Sequence, residues 1–315
     1  MRNNITVIIP TMNRPKSLHR TIEYIVKSST LPSQVIVIDQ STDKISREEN
    51  YKIVSNLGKV TKIHYEFQGI PCLTKARNRG LELAEEEIIV FSDDDVDVKV
   101  STFATISNLM MDSKLALIGG FNEAEIQTKN SILGYVFLRS SYRKRKFGHV
   151  SPGVYGRFPI SNATNINTEW AMGFFFVVRK SLVTKWNCKF DENLKYYGYA
   201  EDLDFTYGYF LNANKENLNC VMSRSLTVKH NATSEYRTTH FKVTMMEMIH
   251  REYIAHKYKE HFSSLSLIWA NIGTFIYRLI RRNCPLDVLR AMCFILKNRV
   301  SIHNGVFYYE KFMNL

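Results

Sequence analysis

No glycine-rich phosphate loop opens this chain: neither GxGxxG nor GxxxxGK[ST] follows any of its strand-like segments, which weighs against a dinucleotide or P-loop site. Cysteine is sparse and unpatterned. The five residues Cys72, Cys188, Cys220, Cys284 and Cys293 form no CxxC pair, and this odd set argues against a disulfide framework or a zinc site and suits a reducing cytosol. Long apolar runs are missing too. The most apolar late stretch, 262–280, is broken by Ser263, Ser264, Ser266, Asn271 and Arg278, so it makes a poor membrane span. Met1-Arg2-Asn3-Asn4 runs straight into a strand-like segment, so no secretory signal is expected. Internal repeats and low-complexity linkers are absent from the sequence. Helix-turn-helix, zinc and RNP-like signals are lacking as well, which argues against nucleic acid as a partner.

What is present is globular in character, with 45% apolar and 23% charged residues over 315 positions, long enough to bury a sizeable core. The net charge of +12 is regional. Between Ile126 and Thr168 lie seven bases (Lys129, Arg139, Arg143, Lys144, Arg145, Lys146, Arg157) and no acid, and from His240 onward there are eleven bases against five acids. These two segments carry +7 and +6, leaving −1 for the rest. Such placement points to an anionic surface or substrate met by those parts.

The first 120 residues alternate strand and helix signals, the pattern of βαβ units in a mostly parallel sheet. Strands are predicted over 5–9, 35–38, 59–67, 88–91 and 115–118, with helices over 17–27, 73–84 and 101–111. Three polar clusters follow strands: 11–14 (Thr-Met-Asn-Arg), 39–43 (Asp-Gln-Ser-Thr-Asp) and the acid triplet Asp93-Asp94-Asp95. In an open α/β sheet these clusters share the carboxyl edge, where ligands bind. Adjacent acids repel and raise one another's pKa unless a cation shares the site, so a divalent metal with a nucleotide phosphate is the leading reading and a solvated acidic turn the bland one.

Taken together, the blocks ITVIIPTMNRP (5–15), VIVIDQSTD (35–43), ARNRGLELA (76–84), IIVFSDDDV (88–96), EWAMGFFFVVRKSL (169–182) and YAEDLDF (199–205) resemble the GT-A glycosyltransferases, specifically glycosyltransferase family 2. The resemblance implies an α/β fold of GT-A type, Rossmann-like with flanking helices, over 1–238. A nucleotide-binding half (1–120) would be followed by an acceptor-binding half (121–238) and a helical C-terminal extension (239–315). It implies a donor pocket from Pro10, Thr11, Asn13 and Arg14, with Asp39 resembling the acid that bonds a uracil-type base, although Gln40 replaces the family's usual second acid. Arg77 and Asn78 resemble the donor-side pair, the guanidinium aimed at pyrophosphate. The DxD motif maps to Asp93 and Asp95: Asp95 as ligand of Mn²⁺ or Mg²⁺, Asp93 on the nucleotide sugar, and Asp94 counted with the donor pocket. His230 resembles a late metal-binding histidine. In Glu201-Asp202-Leu203-Asp204, Asp202 matches the general base and Glu201 an acceptor-orienting acid, while Asp204 suits a helix start. Trp170 and Gly173 fall where relatives meet the acceptor; a core Trp beside Phe174, Phe175 and Phe176 is the alternative.

The implied activity is metal-dependent, inverting transfer of a sugar from a nucleotide-diphosphate donor, UDP-sugar favoured, to a hydroxyl of a glycan or lipid-linked glycan in surface polysaccharide synthesis. A non-catalytic nucleotide-sugar or glycan-binding protein on the same scaffold is the alternative. Beyond His240 the pattern turns helical, with one apolar stripe of Phe241, Met245, Met248 and Ile249. A second runs through Leu265, Ile268, Trp269, Ile272, Phe275, Ile276 and Leu279 toward Arg278, Arg281 and Arg282. These stripes suit a core, a homo-oligomer interface or peripheral contact with the inner face of the cell membrane, the location otherwise being cytoplasmic.

Overall fold

The computed structural model describes residues 3–58, 61–125, 132–196, 198–232 and 239–313. Its strands, in chain order, are β1 (Asn3–Thr11), β2 (Pro32–Asp39), β3 (Ile63–Phe67), β4 (Ile88–Ser92), β5 (Val96–Asp97), β6 (Leu115–Asn122), β7 (His149–Val150), β8 (Gly156–Arg157), β9 (Asn165–Asn167), β10 (Phe175–Arg179) and β11 (Asn219–His230). The chain divides into two compact units. One comprises Met1–Gln127, Ser161–Tyr197 and Glu201–Tyr236; the other comprises Thr128–Ile160, Gly198–Ala200 and Arg237–Leu315.

The first unit is built on a sheet of order β3-β2-β1-β4-β10-β6-β11-β5, with β9 added on β11. Strands β1 to β4 pair in parallel, and so do β6 and β11, while β10 runs antiparallel between β4 and β6. The apolar runs read as fully buried strands: Ile5, Val7, Ile8, Ile9, Val35 to Ile38 and Ile89 to Phe91 have no exposure. From β1 the chain moves outward through β2 to β3, then returns to place β4 on the other flank of β1. That reversal opens a crevice at the carboxyl ends of β1 and β4, where the loops 11–14 and 93–95 emerge.

The helices expected over 17–27, 73–84 and 101–111 cover the sheet with shifted ends, the last as Thr102–Leu109, alongside a helix, Lys44–Leu57, that the sequence pattern does not predict. The first runs Pro15–Val26 rather than 17–27, because proline suits the first helical position with its fixed φ and missing donor. Asp43 caps Lys44–Leu57, its carboxylate accepting from Ser46 N–H at 2.7 Å. Helix Leu73–Leu83 packs so closely on β1 that a Cβ at Gly80 would lie 2.3 Å from Ile8 Cγ2. The strand read over 59–67 pairs from Ile63 onward; residues 59 and 60 lie outside the described residues. Below the sheet, Phe91 stacks on Phe176 at 4.7 Å and Phe190 on Phe205 at 4.2 Å, tying helix Glu201–Lys215 to β4 and β10.

The second unit holds the β7–β8 hairpin, a short helix Ile132–Val136, and the helices His240–Lys257, Ser264–Ile280, Pro285–His303 and Glu310–Met313. Met245, Met248 and Ile249 are buried as their stripe predicts. The next stripe is different. Helix Ser264–Ile280 buries Leu267, Ala270, Asn271, Gly273 and Thr274, and turns Leu265, Trp269 and Leu279 outward. Small residues win the inner face because only they admit close approach: a Cβ at Gly273 would lie 2.2 Å from Phe137 Cβ.

Candidate active site

The loop after β1 and the turn after β4 are laced together by side chains. Thr11 Oγ1 donates to Asp94 at 2.6 Å, and Arg14 Nη1 lies 3.1 Å from Asp94 and 3.8 Å from Asp95. Pro10, buried in β1 opposite Ile38, precedes Thr11, the last residue of the strand, which pairs with Asp39. Asn13 adopts a left-handed φ of 56°, tolerable for asparagine, and bonds Thr42 through both ends of its amide (2.9 and 2.8 Å). The β1 and β2 loops therefore form one wall.

Asp39 lies behind that wall. It is fully buried, its carboxylate accepting from Ser41 N–H (2.8 Å), Asn50 Nδ2 (3.0 Å) and Tyr65 O–H (2.7 Å). Those bonds fix the 39–42 turn. Gln40 takes up the adjoining segment, its Oε1 accepting from Cys72 N–H at 2.6 Å.

Arg77 is the hub. Only 1% exposed, it donates to Glu201 (2.8 Å), Asp93 (3.1 Å) and the Gly173 carbonyl (3.0 Å), so one guanidinium ties the β4 turn to the start of helix Glu201–Lys215. The sequence had it facing a pyrophosphate; here it faces acids. Its neighbour Asn78 points the other way, bridging Phe190 and Glu192 (Phe190 N–H at 2.8 Å), and is not brought into the acid cluster.

Asp202 is held by two backbone donors, Gly173 N–H at 2.6 Å and Leu203 N–H at 2.7 Å. Gly173 keeps this approach uncrowded, because a Cβ would come within 3.1 Å of Asp202 Cβ and 3.2 Å of both Arg77 Nη atoms. Burial lifts the Asp202 carboxyl above its usual range, partly offset by Arg77 and these donors. Burial likewise pushes Glu201 up to about 8 against the pull of Arg77. Trp170, 3% exposed, belongs to the interior beside Thr168, whose hydroxyl donates to its carbonyl.

His230, at the end of β11, stacks on Phe174 and sets Nε2 3.0 Å from Asp95 and 3.9 Å from Asp93. Asp93, Asp95 and His230 thus offer ligand atoms within 4.8 Å of one another. Two carboxylates and one imidazole fit a hard or borderline divalent ion such as Mn²⁺ or Mg²⁺. Asp93, Asp94, Asp95, Glu201 and Asp202 outnumber Arg14 and Arg77, and burial raises Asp93 and pushes Asp94 up to about 7. A cation would relieve that excess. The donor set therefore fits the expected metal, and Asp93 joins it as a ligand candidate. A second group, His240, Cys284 and Asp287, lies in the other unit, with Arg290 already 3.6 Å from Asp287.

Several supporting residues carry no sequence signal. Thr21 Oγ1 donates to the Asp94 carbonyl (2.8 Å) and accepts from Val96 N–H (3.0 Å). Asn231 donates to Asp95 O and Asp97 Oδ1, both at 3.0 Å, while Arg20 pairs with Asp97 at 2.7 Å. Together they hold the acid turn from behind.

Comparison with known proteins agrees with this architecture. The family model "Glycosyl transferase family 2" matches residues 6–185. A mannosyltransferase from Pyrobaculum calidifontis, solved with GDP-Man and Mn²⁺, is similar over 98% of this chain and 86% of its own, with TM-score 0.57 and 11% identity. Residues 1–349 of S. aureus TarS, solved with UDP-GlcNAc, give TM-score 0.54 and 14% identity over 99% of this chain and 91% of that one. For the longer S. aureus TarS the TM-score is 0.50 at 17% identity, over 83% of this chain and 43% of that one. No curated protein sequence matches the chain. The ordered blocks, the GT-A sheet and the family match over more than half its length agree: the chain belongs to glycosyl transferase family 2 and is a glycosyltransferase.

Proposed function

We propose that this enzyme transfers a sugar from a nucleotide-diphosphate donor, a UDP-sugar by preference, to a hydroxyl of a glycan or lipid-linked glycan, with inversion, in surface polysaccharide synthesis. The observation that carries the reading is the Arg77 hub, which joins the Asp93–Asp95 turn to Glu201-Asp202 across one buried guanidinium. The nucleotide sugars bound to the mannosyltransferase and to TarS support the donor class.

Asp202 is the base: its carboxylate takes the proton of the acceptor hydroxyl as that oxygen attacks the anomeric carbon. The bond to the nucleotide breaks with its electron pair leaving on the diphosphate. Gly173 N–H keeps the carboxylate aimed, and Glu201, locked by Arg77, orients the acceptor. Thr11, Asn13 and Arg14 line the donor side with Asp94, and Asp39 sets the base-side turn from behind. Asp93, Asp95 and His230 would hold a divalent cation, whose charge offsets that of the departing diphosphate.

Peripheral membrane contact is part of the proposal. No helix among the described residues is long and apolar enough to cross a membrane, yet the second unit exposes Leu265, Trp269 and Leu279 beside Arg281 and Arg282. That surface suits work at the inner face of the cell membrane, where a lipid-linked acceptor would be met. The test of the site is donor turnover with Mn²⁺: Asp202→Asn and Asp95→Ala are expected to lose transfer, and wild-type rates in either variant would overturn the assignment.

A further inference from the structure

Three arginines of the second unit converge on one aromatic ring. Arg251, Arg157 and Arg139 place their guanidinium carbons 3.8, 4.9 and 5.3 Å from the centre of Tyr155, and Arg139 also lies 4.9 Å from that of Tyr277. Stacking on aromatic faces offsets part of such crowding but cancels no charge.

The three are not equivalent. Arg251, 1% exposed, is a fixed support: it donates to the Gly153 carbonyl (3.0 Å), Tyr155 Oη (2.6 Å) and Asn271 Oδ1 (2.9 Å). Glu247 lies 3.6 Å from it and is shared with Arg278 at 3.7 Å. Arg139 and Arg157 sit at the half-buried rim on the β7–β8 hairpin side, and Arg157 Nε donates to the Arg139 carbonyl at 2.5 Å. The Nε of Arg139 is buried and has no hydrogen-bond partner among the described residues. Arg157 is held below its usual pKa by burial first and then by the charge of Arg139, with Arg251 adding to it. The segment 126–168 that carries Arg139 and Arg157 contains no acid of its own.

We propose that Arg139 and Arg157, braced by Tyr155 and Arg251, form an oxyanion-binding site that takes a phosphate group, as a phosphomonoester or phosphodiester. Two guanidinium groups gathered on the Tyr155 ring, the charge of one acting on the other, can match the several acceptor oxygens of a phosphate, and an anion there offsets their like charge. The assignment of that phosphate to the acceptor rests on the glycosyltransferase reading: the acceptor is then a phosphate-bearing glycan or a lipid phosphate. The anion site itself does not depend on it.

The test is calorimetric titration of the full-length protein with glycerol phosphate and with inorganic phosphate, in chelator so that metal-assisted donor binding is silent. Saturable binding that weakens with added salt is expected, with affinity falling about tenfold or more in Arg139→Gln and in Arg157→Gln. Arg139→Lys, which keeps the charge but loses the fork, should fall between, and melting curves check that each variant is folded. Absence of saturable binding to the wild type, or unchanged affinity in every folded variant, overturns the proposal. Vesicles of phosphatidylglycerol identify the source: if both arginine variants lose vesicle binding and soluble phosphate competes with it, the phosphate is a lipid headgroup; if only soluble phosphate binds, it belongs to a soluble glycan. Loss of transfer in Asp202→Asn with phosphate binding intact separates a failure here from a failure of the reaction assignment.

Discussion

At the residue scale, Asp202 is poised by opposing influences, since burial resists its charge while two backbone N–H groups and Arg77 favour it. The net result is a pKa above the ordinary carboxylate range, and the ionised form is the one that accepts a proton. Transfer should therefore rise with pH, with its acid-side limb displaced upward from where an exposed aspartate would put it. Asp202→Asn is expected to lower kcat by about 10²–10⁴-fold and to abolish that limb, read from a pH profile of kcat/KM. His230 supports a separate prediction. Its imidazole, 3.0 Å from Asp95, completes the candidate ligand set, so His230→Gln and Asp95→Asn should each weaken Mn²⁺ binding by about tenfold or more in a direct metal titration. Equal Mn²⁺ affinity in both variants would remove these residues from the metal site.

At the scale of elements, function depends on how closely pieces approach. The segment before β10 passes so near the start of helix Glu201–Lys215 that a Cβ at 173 would press on Asp202 Cβ (3.1 Å) and both Arg77 Nη atoms (3.2 Å). Gly173→Ala should misplace the Asp202 carboxylate, lowering kcat by about 10²-fold while the melting temperature changes little. Gly80→Ala should do the opposite, because its Cβ would drive into Ile8 in the core: about 1–3 kcal/mol of stability lost in denaturant unfolding, with the site geometry preserved in the folded fraction. The strands carrying the site were legible because Ile5 to Ile9, Val35 to Ile38 and Ile88 to Phe91 are buried on both faces and leave near-continuous apolar runs, broken only by the β-branched Thr6. The acid triplet and Glu201-Asp202 were legible by their chemistry and order along the chain. Side-chain direction was not: Asn78 follows Arg77 directly yet turns to Phe190, and nothing in residue order shows which way each points. Nor did periodicity give the buried face of Ser264–Ile280, where Gly273 and Thr274 are inside and Trp269 outside. Apolar spacing marks a stripe but not which face close packing requires, and small residues decided it.

At the scale of the whole molecule, charge and apolar exposure concentrate in the second unit. Leu265, Trp269, Leu279 and Ile280 on one helix and Leu286, Leu289, Leu296 and Val300 on the next are exposed, with Arg281, Arg282, Arg290 and Lys297 exposed among them. Asp287 is the only acid from Ser264 to His303, and it is buried. A face paired with its own copy would bring these bases against one another, whereas an anionic bilayer would attract each by about 1 kcal/mol and accept the Leu and Trp side chains at its interface. Cosedimentation with phosphatidylglycerol vesicles should therefore retain the wild-type protein at low salt and release it as salt rises. Leu265→Glu and Ile280→Glu should cut the bound fraction severalfold without changing the melting temperature, since both side chains are mostly exposed. Neutral phosphatidylcholine vesicles should bind little. If the glutamate variants leave vesicle binding intact but convert a dimer to a monomer in sedimentation equilibrium, the face joins two copies of the chain and the membrane assignment falls.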